Sequence, residues 1–144
     1  MRAFLIGIVL FVDQFTLRAD RVVYSDALKE YYPIEGETYD LGSYALEVPV
    51  VAWDERRSRS ATVVRTRGDA YPYERQKGVI TIEGEGIEEP VELSVSRFRT
   101  INVSWISEKL IQIKIGVSRT AVVEAIYDIL NREWVYLESL QYVE

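Results

Sequence analysis

The sequence predicts a mainly β protein, a single antiparallel β-sandwich or small barrel of about seven or eight strands with one short helix near residues 26–32. Three observations predict this class. Apolar residues alternate with polar ones at period two along much of the chain. Glycine, proline and charged turns separate these runs at short intervals. Ten Tyr and three Trp residues in 144 also favour sheet structure.

The first segment reads as an export signal. Arg2 is followed by an uncharged apolar run over residues 3–12, which is the length of a signal-peptide core rather than of a membrane span. A polar stretch then leads to Ala19, the last residue before the expected cleavage. We therefore expect a signal peptide at residues 1–19, a single β domain at 20–144 and a periplasmic or secreted location. In the alternative, residues 3–12 are a buried first strand and the protein is cytoplasmic.

The domain is expected to begin with a short strand at residues 21–24. Ser25 is a typical N-cap for the predicted helix at 26–32, and Pro33 ends that helix. Residues 33–42 contain proline and glycine among polar residues and predict a loop.

Strand patterns dominate the middle of the chain. Residues 43–53 predict a strand, and Pro49 places it at a sheet edge or at a bulge because proline donates no ladder hydrogen bond. Further strands are predicted at residues 61–66, 77–83, 91–97, 100–106 and 110–115. The last is the best defined, since Ile111, Ile113 and Ile115 all point to one face.

The C-terminal third allows two interpretations. Apolar residues over 119–131 recur at helical spacing, but the β-branched and aromatic residues there favour a strand. We favour a hairpin whose second strand starts near Trp134. The sequence does not exclude a helix over residues 119–131.

Residues 103–142 also carry a loose motif. A Trp105–Leu110 turn is followed by an alternating strand, by Ile126-Tyr127-Asp128 and by Trp134-Val135-Tyr136. This segment resembles the four-stranded meander of a β-propeller blade, as seen in small uncharacterised exported bacterial proteins. The resemblance implies strands in this third and implies no catalytic residues. The chain is too short for a complete propeller.

The composition excludes several kinds of chemistry. The chain contains no His and no Cys, so it has no imidazole base, thiolate nucleophile, disulfide or Cys/His zinc site. Its net charge of −6 and pI near 4.8 argue against nucleic-acid binding. We therefore expect a protein that is not an enzyme and uses no cofactor. The alternative is a carboxylate-only, glycosidase-like hydrolase, with Glu124 and Asp128 on one strand face as its candidates.

One acidic segment is a possible calcium-binding loop. Residues 83–92 combine five Glu with two Gly, and oxygen-rich loops of this kind can bind Ca²⁺. The spacing does not match an EF-hand loop, so a solvated turn is the favoured interpretation and no metal ligands are predicted.

The candidate binding residues are basic and aromatic. The basic set is Arg56, Arg57, Arg59, Arg65 and Arg67, and the aromatic set is Tyr71, Tyr73, Trp134 and Tyr136. Trp53 and Trp105 lie on apolar strands and are predicted to be core. The leading hypothesis is an exported, non-catalytic binding or inhibitor-like module for a protein or envelope polymer, with no nucleic-acid partner and no stable membrane span. The second is a structural component that self-associates through a sheet edge into a homo-oligomer.

Overall fold

The computed structural model of the chain describes residues 22–24, 33–35 and 39–142. In this part of the chain, ten strands pair antiparallel in two sheets, each with four main strands and one strand of two or three residues at its edge. The strands are β1 (Val22–Tyr24), β2 (Ile34–Glu35), β3 (Val50–Trp53), β4 (Arg59–Arg65), β5 (Lys77–Gly84), β6 (Val91–Ser96), β7 (Thr100–Trp105), β8 (Leu110–Gly116), β9 (Ala121–Asp128) and β10 (Glu133–Tyr142).

The two sheets divide the chain by sequence. One has the order β2-β6-β5-β4-β3 and the other β1-β10-β9-β8-β7, so most neighbours in space are also neighbours in sequence. Neither sheet closes on itself among the described strands. The predicted mainly β class is confirmed, and the architecture is the sandwich rather than the barrel.

The core lies between the sheets. The three isoleucines of β8, Ile111, Ile113 and Ile115, are fully buried as their alternation predicts. They share one apolar cluster with Ile80 and Ile82 of β5. The polar residues between them face away from the core.

The C-terminal hairpin is also confirmed. β9 and β10 pair from Asp128 opposite Glu133 to Ala121 opposite Gln141, with one irregularity between Trp134 and Tyr136. Strand propensity prevails over the helical spacing because β9 is flanked on both sides, by β8 and β10, and is buried along most of its length.

The strand predicted at residues 43–53 is shorter in the structure. β3 begins only at Val50, and the chain before it makes a single bridge, between Leu46 and Thr66. Pro49 falls between the two paired stretches, and β3 is the last strand of its sheet. The predicted edge position of Pro49 is therefore confirmed.

Two expectations fall outside the described residues. The helix near residues 26–32 and the signal peptide at residues 1–19 stay predictions. An intact mass of the native protein tests the second. In the described part of the chain, no helix has the length and apolar character needed to cross a membrane.

Candidate functional site

The predicted basic residues do not form one patch. Arg56, Arg57 and Arg59 lie at the turn before β4, whereas Arg65 and Arg67 lie at its other end. With a rise of about 3.3 Å per residue, the two groups are roughly 20 Å apart.

Two of these arginines connect loops. Arg59 donates from Nε to the carbonyl of Glu85 at 2.7 Å and from a terminal nitrogen to the carbonyl of Glu108. Arg65 donates to the carbonyl of Arg99 at 2.9 Å and lies 4.9 Å from the ring of Phe98. Burial lowers the pKa of Arg65. Both side chains hold the fold together at opposite ends of β4.

The other three arginines are more exposed. Arg67 donates two hydrogen bonds to Asp69, at 3.1 and 2.9 Å, and this contact raises the pKa of Arg67 and lowers that of Asp69. Arg56 lies 3.9 Å from a carboxylate oxygen of Glu85. The guanidinium of Arg57 lies 5.5 Å from the ring centre of Trp53, which places one predicted binding residue beside an exposed aromatic ring.

The candidate aromatic residues are also dispersed. Trp134 packs edge-on against the buried Tyr127 at 4.7 Å and is half-buried at the rim of the core, so its role in binding stays a prediction. Tyr136 donates to the carboxylate of Glu138 within β10. Its hydroxyl is therefore engaged inside the protein.

The other two candidate aromatic residues, Tyr71 and Tyr73, differ in their surroundings. The hydroxyl of Tyr71 accepts a hydrogen bond from the backbone of Ala45 at 2.8 Å and is structural. Tyr73 is exposed. The four predicted aromatics thus share no common surface.

The candidate catalytic carboxylates are buried. Glu124 and Asp128 lie on one face of β9 as predicted, and each has a lysine partner, Lys114 at 3.6 Å and Lys109 at 3.8 Å. Asp128 also accepts the backbone N–H groups of the turn that follows it. Glu124 stands directly opposite Glu138 of β10, which is buried as well.

Neither strand carboxylate borders an obvious reaction site. Two cavities of about 250 and 300 Å³ lie between the turns that end β3, β5, β7 and β9, and neither is lined by Glu124 or Asp128. In the described ranges, no three acidic side chains gather closely enough to hold a metal ion. The glycosidase hypothesis stays a prediction.

A different surface stands out, the outer edge of the sheet at β3. Five of the large exposed apolar side chains fall within residues 46–53, and their exposed fractions decide the character of this edge. They are Leu46 (38%), Val48 (83%), Val50 (65%), Val51 (46%) and Trp53 (49%). Apolar side chains project from both faces of the strand here. We call this segment, residues 46–53, the β3 edge.

The backbone of the β3 edge is open on its outer side. Asp54 N–H donates to the carbonyl of Arg59 at 3.0 Å. Because antiparallel pairs alternate, Ala52 and Val50 direct their polar groups to β4, while Val51 and Trp53 direct theirs outward. Among the described residues no strand pairs with that side. Two N–H and two C=O groups therefore face solvent together.

Both ends of the β3 edge are held in place. The carboxylate of Asp54 accepts the N–H groups of Ser58 at 2.8 Å and Arg59 at 3.0 Å, and the hydroxyl of Ser58 at 3.0 Å. The Arg59 N–H bond is the largest cause that lowers the pKa of Asp54. At the other end, Glu47 accepts the N–H of Gly68 at 3.0 Å. These contacts define a preformed strand rather than a loose loop.

Sequence reasoning missed this site at Trp53. The prediction that Trp53 is core is wrong, because β3 has a neighbour on one side only and its ring contacts Arg57 at the surface. One signal was available. Pro49 marks the edge, and the apolar residues around it occupy consecutive positions rather than alternating with polar ones.

No family model, curated protein or solved structure matches this chain. The resemblance of residues 103–142 to a propeller blade therefore stays a prediction, although β7 to β10 do form a four-stranded meander.

Proposed function

We propose that this protein is a non-catalytic binding module that engages another polypeptide along the β3 edge. The observation that carries the proposal is an outer edge with free backbone groups and apolar side chains on both faces. Binding by strand addition uses these two features, since the backbone supplies hydrogen bonds and the alternate side chains supply specificity.

The β3 edge is only partly protected against pairing with another strand. Natural sheets cover an edge, shorten it, twist it or place lysine on it to prevent pairing. Residues 46–53 contain a single charge, at Glu47, and a single proline, Pro49. Pro49 shortens the open edge but leaves Val51 and Trp53 accessible. We infer that the edge is left open for a partner.

A peptide selection tests this function. The full chain is used to select binders from a displayed library of random ten-residue peptides, beside a Val51→Pro variant. Proline at position 51 removes an outward N–H without touching the ladder to β4, so the fold is expected to persist. We expect the wild type to enrich β-branched and aromatic peptides and Val51→Pro to lose that enrichment.

The control for this selection lies on another strand. Ser104→Lys changes an exposed position of β7 and is expected to select the same peptides as the wild type. Equal enrichment by the wild type and Val51→Pro would contradict the proposal. Hydrogen exchange adds a direct readout, since a bound strand should protect the N–H groups of Val51 and Trp53.

A second candidate function uses the opposite end of β4. Arg65 contacts the carbonyl of Arg99 at 2.9 Å, and Arg99 N–H bonds to Gly116 at 2.7 Å. Arg119 lies in the turn that follows β8. We call Arg65, Arg99 and Arg119 the arginine-rich end; Arg67 lies at the same end of β4 but is paired with Asp69. In a protein of net charge −6, such a local positive region favours an anionic polymer.

Dextran sulfate is a suitable probe of this second candidate. We expect binding that weakens with added salt and is lost in Arg99→Glu/Arg119→Glu. The matched control is Arg56→Glu/Arg57→Glu, which makes the same charge change at the far end of β4. Equal losses in the two double variants would show a nonspecific charge effect and reject the second candidate.

A further inference from the structure

We infer that the polypeptide which occupies the β3 edge is a second copy of this chain, paired antiparallel about a two-fold axis that passes through Ala52. The inference rests on the proposed function and names its partner. It follows from two properties of the edge, namely its hydrogen-bonding groups and its side chains.

The hydrogen-bonding groups select one register. Only Val51 and Trp53 direct polar backbone groups outward between Pro49 and the turn at Asp54. When Val51 of each copy faces Trp53 of the other, all four N–H and C=O groups of each copy are bonded. A register centred on Val51 would place Trp53 opposite Pro49, which has no N–H, and one centred on Trp53 would place Val51 opposite Glu55, which lies in the turn. The edge is thus complementary to itself in one arrangement.

The side chains agree with this register. Val51 and Trp53 lie on the same face of β3, opposite Thr62 and Ser60 of β4. In the two-fold pair, Val51 of one copy lies beside Trp53 of the other, and cross-strand pairs of this kind stabilise sheets. Two half-exposed apolar side chains per copy would become covered.

The resulting dimer has one continuous sheet across the two copies, with β3 paired to β3 at its centre. A closed two-fold contact of this kind ends with two copies and does not propagate. The contact is small, since β3 has four residues. We therefore expect a weak, concentration-dependent dimer.

Cysteine trapping gives the sharpest test, because the chain contains no cysteine. At the two-fold axis, the Cα atoms of the two Ala52 residues form a non-hydrogen-bonded pair about 4.5 Å apart, which suits a disulfide. Ala52→Cys is expected to form a disulfide dimer in a glutathione redox buffer. Val50→Cys is the matched control. Its two copies would stand roughly 13 Å apart along the strands, so it should stay monomeric although Val50 is more exposed.

Sedimentation equilibrium of the full chain tests the same register. Val51→Pro removes an outward N–H group and is expected to weaken the dimer at least tenfold. The control Ser104→Lys on β7 should dimerise like the wild type. Equal dimerisation of the wild type and Val51→Pro would reject the Ala52-centred register.

The outcomes separate the inference from the proposed function. A wild-type chain that stays monomeric at millimolar concentration, with equal trapping of Ala52→Cys and Val50→Cys, would overturn self-pairing. The proposed function would still stand if the wild type enriched peptides that Val51→Pro did not. Loss of that peptide selectivity together with a monomeric chain would overturn both.

Discussion

Strands β3 and β7 are neighbouring edges on the same side of the sandwich, yet they present opposite surfaces. In β7 the exposed positions are Thr100, Asn102 and Ser104, and the residues between them are half-buried toward the core. In β3, Val50, Val51 and Trp53 are all exposed. An edge position alone therefore does not expose apolar side chains, and the difference comes from the residues that each strand carries.

Each of these strands ends in a tryptophan, and the two side chains differ in their contacts and exposure. Trp105 of β7 packs against the core and donates from Nε1 to the carbonyl of Ala52 at 2.9 Å, which joins the two edges. Trp53 of β3 is half-exposed and contacts Arg57. The comparison assigns Trp105 to stability and Trp53 to recognition.

The largest expected effect comes from Trp105. Trp105→Ala should lower the free energy of unfolding by about 3 kcal/mol, through lost core packing and the lost hydrogen bond from the indole N–H to the carbonyl of Ala52. Trp105→Phe retains most of the packing and should cost about 1 kcal/mol. Urea unfolding measures both. A loss below about 1 kcal/mol for Trp105→Ala would show that the two edges are not joined through this ring.

Trp53 should behave in the opposite way. Trp53→Ala is expected to lower the free energy of unfolding by about 1 kcal/mol, well below the loss for Trp105→Ala, because about half of the Trp53 side chain is already in water. The same variant should lose dimerisation and peptide selection. A matching pair of urea and sedimentation measurements on Trp53→Ala and Trp105→Phe checks this. A loss of stability as large as that of Trp105→Ala would show that Trp53 mainly stabilises the fold.

These two tryptophans also show which features of the fold can be predicted from local sequence patterns. The alternation of Ile111, Ile113 and Ile115 is local and predicts both the strand and its buried face. Pro49 predicts an edge because its missing N–H is a local property. Trp53 and Trp105 follow the same local pattern, and only the long-range order of the strands decides which ring meets a second sheet.

The candidate site follows the same rule. The arginines between residues 56 and 67 form one group in the sequence, but β4 holds them at opposite ends. Trp134 is close to the chain terminus and still packs on Tyr127, because β10 returns beside β9. Which residues converge depends on pairing between distant segments, and composition does not encode that pairing.

The smallest expected effect concerns the turns that end the two edges. The turn after β3 is fixed by the carboxylate of Asp54, whereas the turn after β7 is fixed by the hydroxyl of Ser107, which accepts the N–H groups of Lys109 and Leu110 at 3.3 Å. A hydroxyl does not titrate in acid, but a carboxylate does. Acid should therefore loosen one turn and not the other.

The sign follows from the lowered pKa of Asp54. Its contribution to stability is complete above the unfolded pKa of about 3.9 and is lost as the pH falls through the lower folded value. We expect hydrogen-exchange protection of Ser58 and Arg59 to fall below about pH 4, after correction for intrinsic rates, while protection of Lys109 and Leu110 stays level. In Asp54→Asn both turns should show the same flat profile. Equal acid sensitivity of both turns in the wild type would mean that the Asp54 carboxylate does not fix the end of β3.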